Sequence, residues 1–402
     1  MGSEDIIVGL EIGTSKICAV VGETRRDGTV KILGVGQAPS RGVRKGEIVD
    51  FETAGKCVRE ALADAEEKSD VMIRSVFLAV TGGHVASLNN RGSVDIPEDR
   101  EEICEEDFEE VQAAAREVTI PPANQFLHSV LQRYYVDGQD GVLNPIGMMG
   151  RKLEADFHII HGVGTRIKNS IRCVKELDII VESVVFAPLA AAQVMLDLNQ
   201  KNLGALVIDI GGGTSGYVVY IDGAVKQSRC LAVGGDHITN DISLGLRIPM
   251  ARAERLKIEE GSVLLGHVRP GERVVLKDET GFSGRELDRE MLNTIIHCRV
   301  REIFELLKRD FEGSNSLHFL GSGLLLTGGC SLIKGIDQLA EEVFGMPVHL
   351  SHAHTVSGIS SHFENPQLST AIGLVKYAQA MQGEKPRGWF SRFRRKLPFF
   401  GL

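Results

Sequence analysis

The sequence predicts an α/β fold of two related halves, with a separate α+β unit inserted in the first half. Three observations carry this. An apolar strand ending in acid-Ile-Gly occurs twice, about 200 residues apart. Apolar strands alternate with helical patterns between and after these two stretches, as in a sheet flanked by helices. Residues 84–162 differ in composition from the segments on either side.

The first stretch runs Ile6-Ile7-Val8-Gly9-Leu10-Glu11-Ile12-Gly13-Thr14-Ser15-Lys16, and the second Ala205-Leu206-Val207-Ile208-Asp209-Ile210-Gly211-Gly212-Gly213-Thr214-Ser215. Each continues into a second apolar run and an Asp-Gly turn, at Asp27-Gly28 and Asp222-Gly223, so each reads as a β-hairpin. Small and apolar residues at 54, 58, 61, 62 and 65 make Phe51–Glu67 a helix. Val71–Val80 is a strand that ends at Thr81-Gly82-Gly83. The inserted unit carries an acidic stretch, Glu98 to Glu110, leading into a helix, and a loop rich in Gly, Asn and Pro at 138–150. Helices are expected at Thr165–Leu177, Pro188–Asn199, Arg247–Glu260, Arg285–Lys308, Ile336–Phe344 and 369–382, with strands at Ile179–Val185 and 324–329. Residues 383–388 read as a short hinge before a distinct tail.

The chain's 402 residues, 43% hydrophobic and 25% charged, exclude wholesale disorder, a collagen repeat and a coiled-coil rod. No apolar run reaches the length needed to span a bilayer, and no signal-peptide pattern follows Met1, so a chain that is neither exported nor membrane-spanning is expected. Seven cysteines with no CxxC pair suit a reducing compartment. The net charge of −9 is uneven: Lys385 to Leu402 holds six basic residues and no acid, leaving 39 basic against 54 acidic residues, a body of −15. Such a body disfavours nucleic acid, while the tail is drawn to anionic surfaces.

A buried strand ending in acid-x-Gly-Thr/Ser has a definite use. Its glycines let backbone N–H groups approach oxyanions, and its carboxylate can hold a divalent cation through water. Taken alone, each loop reads as an ordinary glycine hairpin. Two of them, Gly13-Thr14-Ser15-Lys16 and Gly211-Gly212-Gly213-Thr214, can grip a phosphate chain from opposite sides. Neither is a Walker A sequence or a GxGxxG turn. A third glycine turn, Gly328-Gly329-Cys330-Ser331, follows an apolar strand. Glu254 and Lys257, three apart on a helix, face the same way. They suit ribose hydroxyls and a nucleoside, or a plain surface ion pair.

The order of these motifs resembles the actin/Hsp70/sugar-kinase ATPase superfamily, and within it the bacterial FtsA cell-division family. The residues that carry the resemblance are 9–16, Pro188 to Ala192, Val207 to Gly216, Gly234-Gly235-Asp236 with Thr239 to Ile242, Ala253 to Lys257, Leu326 to Gly335 and Val356-Ser357-Gly358. The resemblance implies an actin-like ATPase fold that binds ATP and Mg²⁺ between its halves, with the cation near Glu11 and Asp209. It implies an adenosine pocket at Gly234, Gly235, Asp236, Glu254, Lys257 and the 328–331 turn. It divides the chain into 1–83 plus 163–195 (subdomain 1A), 84–162 (1C, filament contacts), 196–227 plus 306–382 (2A), and 228–305 (2B, docking the C-terminal tail of the tubulin-like protein FtsZ). It further implies self-association into filaments, contact with other division proteins, and a place on the cytoplasmic face of the inner membrane at the septum.

Two departures bear on turnover. Glu11 stands where most of the superfamily has Asp, and Ala187 precedes Pro188 where Hsp70-like members carry a Glu that helps orient water. Water attack on a γ-phosphate needs an orienting group. Glu182 and Gln193 are the nearby candidates, so ATP binding with weak turnover is expected. In the tail, Trp389, Phe390, Phe393, Leu397 and Phe400 recur at helical spacing, and Arg392, Arg394, Arg395 and Lys396 lie beside or opposite them. That pattern suits an interfacial helix on anionic lipid. A small-molecule kinase shares the loops but does not need such a tail. A chaperone needs a substrate domain after the ATPase unit. Rod-shape actins and pilus-assembly adaptors are the nearest non-enzyme rivals.

Overall fold

The computed structural model describes residues 6–25, 29–266, 268–269, 271–276, 284–312, 316–350, 356–357 and 365–383. The Asp27-Gly28 turn and the basic, aromatic tail with most of its hinge lie outside the described residues. In the first half, β1 (Ile6–Ile12), β2 (Lys16–Thr24) and β3 (Val30–Pro39) form an antiparallel meander. A short ribbon of β4 (Val43–Arg44) and β5 (Glu47–Ile48) leads into α1 (Phe51–Ser69), and β6 (Ser75–Val80) returns parallel to β1. The inserted unit follows: β7 (Ala86–Asp95), α2 (Glu105–Arg116), β8 (Asn124–Val136), β9 (Gln139–Val142) and β10 (Lys152–Val163), with sheet order β7-β10-β8-β9. It has its own core, with Val111 and Ala115 of α2 packed on Leu153, Phe157 and Ile159 of β10. Then α3 (Gly164–Lys175) and β11 (Ile180–Phe186) complete the half, β11 lying parallel to β6.

Two helices, α4 (Ala187–Met195) and α5 (Leu198–Leu203), lead to the second half. There β12 (Ala205–Ile210), β13 (Ser215–Ile221) and β14 (Ala224–Leu231) repeat the antiparallel meander. The helices α6 (Gly235–Leu246) and α7 (Met250–Glu260), the ribbon β15 (Arg273–Leu276) with β16 (Arg285–Asp288), and α8 (Arg289–Glu312) intervene. β17 (Leu324–Thr327) pairs parallel with β12, α9 (Ile336–Phe344) follows, and β18 (Val348–Leu350) pairs parallel with β17. The sheets therefore share one topology, β3-β2-β1-β6-β11 and β14-β13-β12-β17-β18. The repeat in sequence is a repeat in structure. The edge of β3 is covered by β19 (Val356–Ser357). The described chain ends in α10 (Ser369–Gly383).

Local chemistry explains several boundaries. Asp50 caps α1 by accepting from the Thr53 N–H at 3.2 Å, and α1 buries residues 54, 57, 58, 61, 62 and 65 on one face. The helix expected over Pro188–Asn199 is two helices. Asp197 starts the second with a capping box, its carboxylate accepting from the Gln200 N–H and the Gln200 side-chain Oε1 accepting from the Asp197 N–H. The helix expected from Arg285 starts at Arg289, because 285–288 pair with β15. Helix α6 had no counterpart in the sequence reading, where its Gly-Gly-Asp start looked only like a turn.

Helix α4 joins the halves: Leu189, Ala191 and Ala192 share one core with Ala205, Val207 and Val218 of the second half. Helix α10 corrects an expectation that grouped 306–382 with the second half. Its Ala371, Ile372, Val375 and Ala378 enter the first-half core, and Leu374 packs with Ala79, Val185 and Ala190. Burial along most of its length fits it between α4 and the first sheet.

Helix α1 lies against β3 at Gly36, where a side chain would strike the Ala61 carbonyl and Ala65. Gly36→Ala is expected to lower stability by about 1–3 kcal/mol, the usual cost of overpacking, read as a shift in the urea midpoint. His128 and His158 are buried; the Phe186 N–H donates to His128 Nε2 at 3.0 Å. Burial pushes their pKa values down to about 4 and about 3. Below pH ~6.5 the unfolded chain binds protons at both rings that the folded chain does not, so stability falls as pH falls. Relative to a His158→Gln variant, the parent should lose up to about 1.4 kcal/mol per pH unit between pH 6 and 4. Parallel urea midpoints across that range would contradict it.

Candidate functional site

The two meanders turn toward each other. Gly13 N–H donates to the Lys16 carbonyl at 3.0 Å, and Gly211 N–H donates to the Thr214 carbonyl at 2.8 Å, so both turns close in the same way. Their tips meet across the gap between the halves. A Cβ on Gly213 would lie 2.6 Å from Thr14 Oγ1 and 2.9 Å from the Lys45 backbone, and one on Gly212 would lie 3.1 Å from Ser15 Cβ. Only glycine permits this approach.

Below the tips is a cleft of ≈ 210 Å³. Among the expected site residues it is lined by Glu11, Gly13, Thr14, Ser15, Lys16, Asp209, Gly211, Gly212, Thr214, Glu254, Lys257, Gly328, Gly329 and Cys330. Five others do not line it. Gly213 is at the tip contact, and the Ser331 hydroxyl turns back to the Gly328 carbonyl at 2.7 Å. Gly234, Gly235 and Asp236 brace the second turn from behind, with Gly235 N–H on the Gly211 carbonyl at 3.0 Å and Asp236 N–H on the Gly212 carbonyl at 2.7 Å.

The cleft's electrostatics centre on two carboxylates at the ends of β1 and β12. Burial pushes the Glu11 carboxyl up to about 7; Lys16 opposes the shift and Asp209 adds to it. Glu11 Oε2 is buried with no hydrogen-bond partner. Burial also raises the Asp209 pKa, against the pull of the Thr370 hydroxyl, which donates to Oδ2 at 3.0 Å, and of Lys16. Lys16 Nζ donates to the Gln367 carbonyl. On the far wall, Lys257 Nζ is buried and donates to Glu254 Oε2 at 2.6 Å, Thr239 Oγ1 at 2.9 Å and the Gly235 carbonyl at 3.2 Å. It is therefore a fixed cation, not a mobile surface pair. The Cys330 thiol, pushed up to about 11 mainly by burial, stays protonated near neutral pH.

The sequence reading missed several wall residues: Thr81, Ile258, Leu332, Gln367 and Thr370. Thr81 had a signal, since it follows a strand and precedes Gly82-Gly83. Thr370 had none; only the fold brings the start of α10 to Asp209. Ala187 and Pro188 line the cleft, whereas Glu182 and Gln193 do not. Gln193 Oε1 instead accepts from Lys201 at 3.3 Å.

These residues fit a phosphate chain with its cation. The turns can present N–H groups to oxyanions, and Glu11 and Asp209 offer the hard oxygens that Mg²⁺ takes. Among the described residues no group of three or more His, Cys, Asp and Glu can hold a metal. A cation here would rest on ligand oxyanions and water beside the two carboxylates.

The family model for the cell division protein FtsA matches residues 206–373, and that for the SHS2 domain inserted in FtsA matches 82–161. The cell division protein FtsA of Pseudomonas aeruginosa is 36% identical over 382 residues, covering 95% of this chain and 91% of that one. That of Escherichia coli K12 is 35% identical over 381 residues, covering 93% and 90%. Among solved structures, the PilM–PilN type IV pilus biogenesis complex superposes with TM-score 0.65 at 16% identity, over 96% of this chain and 100% of that one. MreB5 of Spiroplasma citri bound to ADP gives 0.57 at 16% identity, over 94% and 99%. These two show the actin-like fold. Identity near 35% across nine-tenths of both chains decides the family: the chain belongs to that of the bacterial cell division protein FtsA.

Proposed function

We propose that the chain binds ATP with Mg²⁺ in the cleft, assembles into filaments, and tethers FtsZ filaments to the cytoplasmic face of the inner membrane at the division site. It would thereby help recruit later division proteins. The observation that carries the nucleotide part is the meeting of two glycine turns able to bind oxyanions, one from each half, above the half-buried carboxylates Glu11 and Asp209. A ligand bridging both turns gains from each half only when the halves are closed, so it favours the closed form. Mg²⁺ would neutralise phosphate oxygens beside Glu11 and Asp209. Lys16 would add a cation on the first half, and Glu254 with Lys257 would hold the ribose side. With Ala187 beside the cleft and Glu182 and Gln193 away from it, none of these three takes the water-orienting place of the Glu in Hsp70-like members, and slow turnover is expected.

Among the described residues no helix is long and apolar enough to cross a membrane. In this reading Trp389, Phe390, Phe393, Leu397 and Phe400 enter the headgroup–acyl boundary, and Arg392, Arg394, Arg395 and Lys396 face anionic lipid. Each basic residue contributes about 1 kcal/mol near such a surface. A filament presenting many tails binds more firmly than a single chain. FtsZ docking is assigned to 228–305 and filament contacts to 84–162.

Calorimetry should register ATP binding that Gly212→Val abolishes, with phosphate release below roughly 1 s⁻¹, the low end of ordinary turnover. No heat of binding at any Mg²⁺ concentration would remove the nucleotide from the account. In vesicle flotation, Trp389→Glu should release the chain. Arg394→Gln with Arg395→Gln should weaken binding chiefly to anionic vesicles. Equal flotation with and without residues 385–402 would show that the tail is not the anchor.

A further inference from the structure

The inserted unit does more than project from the first half: it is bonded to the second. β14 is the edge strand of the second sheet, and the equivalent edge, β3, is covered by backbone pairing with β19. β14 is met instead by side chains. Ser87 Oγ donates to the Ser228 carbonyl at 2.6 Å, and Asn89 Nδ2 to the Lys226 carbonyl at 3.0 Å. Two steps along β7 are thus two steps back along β14, an antiparallel register held by side chains in place of backbone. Gln132 Nε2 of β8 donates to the Val225 carbonyl at 2.6 Å. His158 of β10 lies between Asn89 Oδ1 at 2.7 Å and Ser228 Oγ at 2.8 Å. Asn89 Nδ2 is committed to the Lys226 carbonyl, so its amide oxygen faces the ring; Nδ1 donates to it, and Nε2 accepts from the Ser228 hydroxyl. The rim is closed by Arg133 and Asp222 at 3.1 Å.

The seam begins at the cleft. Thr81, a cleft-wall residue at the end of β6, contacts Cys230 Sγ of β14 at 3.2 Å. From there the bonds run outward along β14. Besides the glycine tips and the bonds from the start of α10 to Asp209 and Thr327, the halves are joined through the apolar core around α4. Apolar packing of that kind holds a hinge. A row of hydrogen bonds can part, because water replaces each donor at little net cost.

We infer that the inserted unit is a latch on the second half: the cleft opens only when the seam between β7, β8 and β14 parts or slides. The unit therefore sets how readily the two glycine turns separate, and this holds whether or not a nucleotide occupies the cleft.

Hydrogen exchange on the full chain, without nucleotide, tests this. In a Ser87→Ala, Gln132→Ala double variant, 224–231 and both cleft turns, 13–16 and 211–214, should exchange faster, by about two- to tenfold for each bond removed. Helix α1 should not change. Arg133→Ala, which removes the exposed pairs to Asp222 at the rim and to Asp140 within the inserted unit, should give the same pattern more weakly, so the test does not depend on the double variant folding. Faster exchange at 224–231 with unchanged cleft turns would overturn the latch. So would no change anywhere, or faster exchange in α1 in step with the rest, which would make the seam part of global stability.

Discussion

Two half-buried carboxylates at the ends of facing strands are the constraint on which this structure turns. Glu11 and Asp209 lie at the bottom of one cleft, Glu11 with a buried oxygen that nothing bonds. A protein that only needed to fold would place apolar side chains there, since a buried, unpaired carboxyl costs free energy. The fold tolerates the pair with Lys16 nearby and a hydroxyl from Thr370 on Asp209. Glycine turns directly above give that acidic floor a ligand-shaped roof. Phosphate oxygens with a divalent cation are the chemistry that satisfies both.

The rest of the architecture holds these groups in place. Each turn is the corner of a meander whose strands are buried, and the two meanders share one topology. Gly234, Gly235 and Asp236 fix the second turn from behind, and Thr239 fixes Lys257. Helix α10 leaves the second half's chain order and packs on the first, which brings Thr370 from late in the sequence to Asp209. The inserted unit adds contacts along β14, an edge strand of the second sheet.

Much of this was legible in sequence because it is local. The repeat of Glu11-Ile-Gly-Thr-Ser as Asp209-Ile-Gly-Gly-Gly-Thr-Ser pointed to two hairpins, and the spacing of small and apolar residues over Phe51–Glu67 pointed to the helix, which runs on to Ser69. What was not legible depends on long-range contact. Nothing near Thr370 indicates a partner at Asp209, and nothing near Ser87 or Gln132 indicates the backbone of β14. Gly234 and Asp236 lie in a motif and still fall behind the wall, because a motif gives proximity in the chain and not the direction a residue faces.

The central claim is that one ligand engages both halves at once. The most direct measurement is hydrogen exchange of the full chain with and without ATP and Mg²⁺, resolved to the two glycine turns. The account predicts that 13–16 and 211–214 gain protection together, with the start of α10 following. Protection confined to the turn of one half, or to neither, would contradict it.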